Sequence, residues 1–328
     1  MRRNGAVVGA LAAILLAVFA VSLMIGNTFY TPAEVVGVIL GQDVPGASFT
    51  VGELRLPRVV LAILAGLSFG MAGVTFQTML RNPLASPDII GISSGASAAA
   101  VFAIIVLALD ETWVSLFALA GALITATAIY LLSHKGGMSG TRLILIGIGV
   151  AAMLDSLVTY LLSRAPAWDL QTAMRWLTGS LNNASWDMVL PVAIACAVLV
   201  PALLGQTRNL TALRLGDDSA AGLGVHVSRT RIVLILAAVA LLAVATAATG
   251  PIAFVAFMAG PIAARLVGGG ASLLVPAGLV GALLVSISDL VGQFAFDSRY
   301  PVGVITGVLG APYLVYLLIR TNRSGASL

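Results

Sequence analysis

Residues 208–231, RNLTALRLGDDSAAGLGVHVSRTR, form the longest polar interruption in an otherwise apolar sequence. This stretch contains four arginines, two adjacent aspartates and one of the two histidines of the chain. Its apolar residues recur every three to four positions between Gly216, Gly222 and Gly224, which predicts two short amphipathic helices separated by glycine turns. The pattern leaves two interpretations open: a solvated loop between membrane spans, or a docking platform for a cytoplasmic partner.

The composition places the chain in a membrane. Of its 328 residues, 59% are hydrophobic and 9% are charged, and the mean hydropathy is +1.06, whereas about a quarter of the residues of a soluble domain are charged. The net charge of +4 comes from basic residues that flank apolar runs and form no stripe, so it indicates membrane topology and not nucleic-acid binding. We predict an all-α polytopic membrane protein with one transmembrane domain, residues 1–328.

Apolar runs long enough to cross the hydrocarbon region, about 20 residues each with some shorter, predict ten spans. The first follows Met1, Arg2 and Arg3 and is kept as a span because it lacks a clear signal-peptide cleavage site. Pro251, directly after Gly250, divides the long apolar stretch 231–267 in two. The spans are predicted near 5–25, 57–80, 92–109, 113–133, 142–163, 187–205, 231–250, 251–267, 272–295 and 301–320.

The basic residues set the predicted orientation. With both termini cytoplasmic, twelve arginines and lysines, Lys135 among them, fall on the inner side and five on the outer side, as the positive-inside rule requires. The 208–231 stretch is then cytoplasmic. The outer five are Arg55, Arg58, Arg164, Arg175 and Arg299.

Missing motifs narrow the function. The chain has a single lysine and no G-x-x-x-x-G-K-[ST] sequence, so it contains no P-loop, and any ATP must be bound by another subunit. His134 and His226 lie in separate inner loops and Cys196 is the only cysteine, which argues against a metal centre. We expect no metal site, no cofactor and no enzymatic activity in this chain.

Two acids fall inside predicted spans, Asp155 in the fifth and Asp289 in the ninth. Such acids would suit an ion-coupled secondary carrier, but an acid that receives hydrogen bonds from a neighbouring helix is the commoner arrangement. Gly66, Gly70 and Gly73 share one face of the second span, which predicts close packing against another helix.

Residues 53–96, ELRLPRVVLAILAGLSFGMAGVTFQTMLRNPLASPDIIGISSGA, resemble the permease subunits of iron-siderophore and cobalamin ABC importers, the type II import systems. The family pattern is matched by Leu54 to Arg58, Gln77, Asn82 to Leu84, and Gly91 to Gly95. Further matching blocks are LGDDSAAGLGVHVSRTR at 215–231, GPIAFVAFMAGPIAARLVG at 250–268 and YPVGVITGVLGAPYLVYLL at 300–318. The resemblance covers nearly the whole chain.

The resemblance implies the type II ABC importer permease fold in a bacterial inner or plasma membrane. It implies ten helices, with spans two to five and seven to ten as inverted repeats, and two permease subunits around a central path. It also implies two cytoplasmic ATPase subunits that bind ATP and magnesium, and an external binding protein. Stretch 208–231 becomes the ATPase-coupling segment, with contact residues Arg214, Leu215, Gly216, Asp217, Asp218, Ala221, Leu223 and Gly224.

On the outer face, the resemblance implies that Arg55 and Arg58 pair with glutamates of the binding protein. Arg299 is a further docking candidate, although its surroundings, SRYPVG, depart from the family pattern. For Arg55, the alternative is an interfacial anchor that extends its charge into water. Small and weakly polar residues are expected along the path, with Thr75, Ser97 and Ser156 as candidates.

The cargo and the pairing of subunits are inferred from one variant block. Many family members carry valine-proline-histidine before the arginine of the eighth span, whereas this chain has FVAFMAGPIAARL, with Arg265 retained. That form resembles ferric-siderophore permeases in which two different chains pair. We therefore expect a heterodimer that transports a ferric siderophore, with cobalamin or haem import as the alternative.

Overall fold

The computed structural model describes residues 2–87, 90–133, 140–268 and 272–323, and the regular structure within them is helical. His134 and Lys135 lie outside the described residues. The helices are α1 (Arg2–Met24), α2 (Pro32–Ile39), α3 (Ala47–Phe49), a π-helical turn (Thr50–Arg55), α4 (Leu56–Met79), α5 (Ile92–Ile105), α6 (Glu111–Ser133), α7 (Gly140–Arg164), α8 (Ala167–Thr178), α9 (Trp186–Gly205), α10 (Thr207–Leu213), α11 (Asp217–Gly222), α12 (Val227–Thr249), α13 (Val255–Val267), α14 (Leu274–Phe294) and α15 (Val302–Arg323).

Ten of these helices correspond to the ten predicted spans. Eight are long and apolar enough to cross a membrane, and α5 and α13 are two shorter apolar helices. The prediction of an all-α polytopic membrane protein is confirmed. The third span is shorter than predicted because its helix ends at Ile105, and the eighth begins at Val255, beyond Gly250 and Pro251.

The centre of the bundle is α4. In the continuous helical run Ala47–Met79, 78% of the residues in its most apolar stretch are buried. The corresponding fraction is only 17% in α1 and in α7. A Cβ atom on Gly66 or Gly70 would overlap the backbone of α14, and one on Gly73 would overlap the backbone of α13. The glycine face therefore lets the backbones of α4, α13 and α14 come into contact, as predicted. Such close packing stabilises the bundle, because lipid supplies no hydrophobic drive between helices.

The two short helices are the third and the eighth of the ten, which are corresponding positions in the implied halves. Each begins where the chain turns against a long helix of its own half. A Cβ on Gly147 of α7 would overlap Ile90, and one on Gly310 of α15 would overlap Phe254. Irregular backbone at this depth is tolerated because protein covers it, and matched interruptions of this kind are typical of repeated transporter halves.

Contacts between loops and helix ends fall into two groups, one at each end of the bundle, as the predicted topology requires. At the predicted cytoplasmic end, Arg3 donates to the carbonyl of Leu266 at 3.3 Å, and Arg81 lies 4.0 Å from Asp217. At the opposite end, the contacting pairs include Arg55 with Leu23, Arg58 with Asn182 and Arg299 with Asn27.

Candidate coupling and docking sites

The coupling segment folds as two short helices, α10 and α11, as its apolar spacing predicted. Leu210 and Leu213 of α10 and Ala220 of α11 are buried against the bundle. Since α10 contacts α4, α9 and α12, the segment rests on the central helix and on both spans that flank it. The segment is therefore in direct contact with the centre of the bundle.

The opposite side of the segment carries the predicted contact residues. Leu215 and Leu223 are each 66% exposed, and Arg214, Asp218 and Ala221 are exposed beside them. Gly216 and Gly224 have φ values of +105° and +83°, a backbone conformation that favours glycine. The turns thus present two large apolar side chains away from the protein.

Asp217 is held by basic residues of this same chain. Its carboxylate accepts a hydrogen bond from Arg231 at 2.8 Å, and Arg81 approaches it at 4.0 Å. Asp217 therefore ties α11 to the start of α12 and to the loop after α4. Arg81 is one of the twelve basic residues on the predicted inner side, and only the fold places it beside the coupling segment.

A recess of about 300 Å³ lies between the coupling segment and the inner ends of α4 and α13. Gln77 joins the two helices there, since its amide donates to the Phe257 carbonyl at 2.9 Å. The Asn82 side chain accepts from the Leu84 amide at 2.9 Å and so forms the turn that follows α4. Residues that carried the family resemblance therefore shape this inner surface.

Arg55 fastens the outer end of α1. Its guanidinium donates to the carbonyls of Leu23, Met24 and Thr28 at 2.8, 3.0 and 2.7 Å and lies 5.0 Å from the centre of the Tyr30 ring. A cation is favourable at the carboxyl end of a helix, where carbonyls lack partners. The geometry gives Arg55 a structural role, and docking by this residue stays a prediction.

Arg58 forms a two-point ion pair with Asp289. Its Nε and Nη2 atoms lie 2.9 and 2.8 Å from the two carboxylate oxygens, and the two side chains are 15% and 7% exposed. Gln293 donates to the same carboxylate at 2.7 Å, and Asn182 accepts from Arg58 at 3.0 Å. Asp289 thus has the partnered arrangement expected of a structural acid. This geometry favours a structural role for Arg58 over the predicted docking role.

Arg299 differs from the other two arginines. It is exposed and, among the residues that the structure describes, makes a single hydrogen bond, to Asn27 at 3.2 Å. A guanidinium has five N–H donors, so most of them remain available to an external carboxylate. Arg299 is the best presented of the three predicted docking residues.

The three candidate path residues lie in different surroundings. Thr75 is fully buried and its hydroxyl donates to the Met71 carbonyl at 2.7 Å. Ser97 is also buried, so neither residue offers a surface to a path outside this chain. Ser156 is exposed on α7, and it is the candidate whose position suits the prediction.

Among the residues that the structure describes, no three histidine, cysteine, aspartate or glutamate side chains group in a way that could hold a metal ion. The described residues form a bundle of ten apolar helices, with an anchored surface segment at one end and three arginines, Arg55, Arg58 and Arg299, at the other. These features define a polytopic membrane permease. The chain belongs to the FecCD transport family, whose model matches residues 14–320.

Curated relatives and a solved structure agree with this assignment. The chain is 40% identical to the ferric enterobactin transport system permease protein FepG of Escherichia coli (strain K12), over 89% of this chain and 88% of the relative. It is 41% identical to the achromobactin transport system permease protein CbrC of Dickeya dadantii (strain 3937), over 94% and 90%. A transporter assigned to the metal-chelate ABC type, solved facing inward, matches with a TM-score of 0.86 and 27% identity, over 96% of this chain and 99% of that chain.

Proposed function

We propose that this chain is the permease subunit of an ATP-driven importer of ferric siderophores. The observation that carries the proposal is the exposed pair Leu215 and Leu223 on a segment anchored by buried residues, in a chain of a transport family. Relatives named for ferric enterobactin, achromobactin and iron(3+)-hydroxamate transport support a ferric siderophore as the class of cargo, and the chelate in the name differs from one relative to the next. The external binding protein delivers the chelate, and this chain forms part of its route.

The coupling segment seats in a cytoplasmic ATPase subunit. Leu215 and Leu223 supply the apolar contact, because large side chains that are mostly exposed gain most from burial in a partner. Arg214 and Asp218 lie at the rim, where charges set orientation and rate of encounter more than affinity. Nucleotide-driven movement of the ATPase then reaches α4, α9 and α12 through α10.

The assembly contains two ATPase subunits, a second permease and the binding protein. The block FVAFMAGPIAARL supports a second permease of different sequence. On the outer face, Arg299 is the first docking contact because its donors are available, and a bidentate carboxylate pair would orient the partner. Arg55 and Arg58 stabilise the same outer end of the bundle through their contacts within the chain.

Substitution in the coupling segment tests the proposal. Leu215→Asp and Leu223→Asp each remove about 2 kcal/mol of apolar contact, which weakens ATPase binding about 30-fold. In proteoliposomes containing the whole assembly, ATP-dependent chelate uptake should fall with each variant. Ser228→Asp is the matched control, because Ser228 is exposed at the start of α12, outside the predicted contact residues, and the substitution adds the same charge without loss of apolar surface.

The partners themselves provide the second test. The tagged chain, purified from its native membrane in mild detergent, should bring down a P-loop ATPase and a second permease, identified by mass spectrometry. An ATPase with only this permease would indicate a homodimer and favour cobalamin or haem as cargo. Uptake that proceeds without any ATPase would overturn the proposal in favour of an ion-coupled carrier.

A further inference from the structure

Asp155 is a carboxylate within a membrane span that this chain does not cover. It lies on α7, 13 residues after Arg142 and 9 before Arg164, which places it about 20 Å and about 14 Å from those two residues along the helix axis. It is therefore well inside a hydrocarbon layer of about 30 Å. Its side chain is exposed, and it makes no hydrogen bond or ion pair to another described residue.

The other acid inside a span has the opposite surroundings. Asp289 is 7% exposed in its side chain and pairs with Arg58. A charged group at membrane depth is costly in lipid, and such groups face either protein partners or water. Since no partner within the described chain meets Asp155, its carboxylate must face water or a second subunit.

Hydroxyl groups extend from Asp155 towards the outer end of α7. Ser156, Thr159 and Ser163 are exposed and follow Asp155 at spacings of one, four and eight residues, which places them on one side of the helix. Each hydroxyl donates to a carbonyl of α7 itself, at 2.7, 2.9 and 2.7 Å. These hydroxyls need no further partner, whereas the Asp155 carboxylate does, and water can supply it.

We propose that this side of α7 lines a water-filled route and that Asp155 selects the cargo by charge, favouring neutral or cationic ferric chelates over polyanionic ones. The inference rests on the proposed importer function. Three hydroxamates, each with one negative charge, neutralise Fe³⁺, whereas three catecholates, each with two, leave a net charge of −3. A fixed carboxylate in the route repels the second kind of chelate and not the first.

The positive charge nearest to Asp155 along α7 does not cancel this effect. Arg164 lies about 14 Å away along the helix axis, and its guanidinium stacks over Tyr160, 5.7 Å from the ring centre. Ser156 is next to Asp155 in sequence and eight residues from Arg164, so Asp155 has the larger effect on the potential near Ser156.

Charged thiol reagents test whether this side of α7 is in contact with water and whether the charge of Asp155 acts there. Ser156→Cys is introduced with Cys196→Ala, which removes the native thiol, and the assembled complex is treated with cationic and anionic methanethiosulfonates. The ratio of cationic to anionic rates should fall about tenfold when Asp155→Asn is added, because a unit charge about 6 Å away in water changes each rate about threefold in opposite directions. Ile194→Cys, at an exposed position within the apolar helix α9, is the control and should not react.

Two outcomes of labelling would overturn the inference. An unreactive Ser156→Cys thiol would mean that this side of α7 faces lipid or a dry contact with the second permease. A ratio that Asp155→Asn leaves unchanged would mean that Asp155 carries no charge there.

Uptake of two probes then tests selection. Proteoliposomes with the second permease, the ATPase and the binding protein receive a ferric tris-hydroxamate or a ferric tris-catecholate, and Asp155→Asn should raise the catecholate-to-hydroxamate uptake ratio several-fold. An unchanged ratio would refute charge selection. Absence of ATP-dependent uptake of both chelates by the unsubstituted protein would instead refute the importer function, while the labelling result would still stand.

Discussion

Loss of either partner of the ion pair between Arg58 and Asp289 should strongly destabilise the protein. Its side chains are 15% and 7% exposed, and the two groups meet at 2.8 Å. Removing one partner of such a pair leaves a buried charge without compensation, which costs about 3–5 kcal/mol. We expect Arg58→Met and Asp289→Leu each to lower the free energy of unfolding by that amount. The double substitution removes both charges together and should cost about 1 kcal/mol or less.

The assay is unfolding by sodium dodecyl sulfate in mixed micelles, analysed as a double-mutant cycle. Arg299→Met is the control, because Arg299 is exposed and makes one hydrogen bond at 3.2 Å, and it should cost less than about 1 kcal/mol. Additive single effects, or a loss below about 1 kcal/mol for Arg58→Met, would refute the reasoning. The stable double variant then permits a clean docking measurement, in which unaltered binding-protein affinity would remove Arg58 from the docking surface.

Gly73→Ala should disrupt the bundle, since a Cβ there would overlap the Ala256 carbonyl, and it should lower the yield of folded protein in size-exclusion chromatography; Gly307→Ala, with no atom within 4 Å, should leave the yield unchanged. At the start of α2, the backbone amide and hydroxyl of Thr31 donate to the Glu34 carboxylate and hold the pKa of Glu34 below its usual value. Because the folded pKa is the lower one, this cap stabilises α2 above the usual value of about 4.3 and is lost as pH falls through the folded pKa. Amide exchange in α2 should speed up over that acidic range, and Glu34→Gln should abolish the pH dependence; identical pH profiles for both proteins would contradict the assignment.

Features with a local cause were predictable from sequence. The glycine turns of the coupling segment and the packing face of Gly66, Gly70 and Gly73 follow from backbone freedom and helical spacing, and both appear in the structure. The lengths of α5 and α13 were less predictable, because their ends depend on which loops the rest of the bundle covers. The buried location of Thr75 could not be predicted either. Helical spacing shows which residues share one face of a helix, but it does not identify the helix that packs against that face.

The sequence alone determined that the chain is a ten-span membrane protein, which of its loops share a side, and which segment lies at the surface. Those properties depend on transfer of residues between water and lipid, and each residue contributes to them independently of distant ones. Only the tertiary structure decided which arginines are available to a partner. Arg58 and Asp289 are separated by 231 positions, and their meeting depends on how α14 packs on α4, a three-dimensional arrangement that no local pattern encodes.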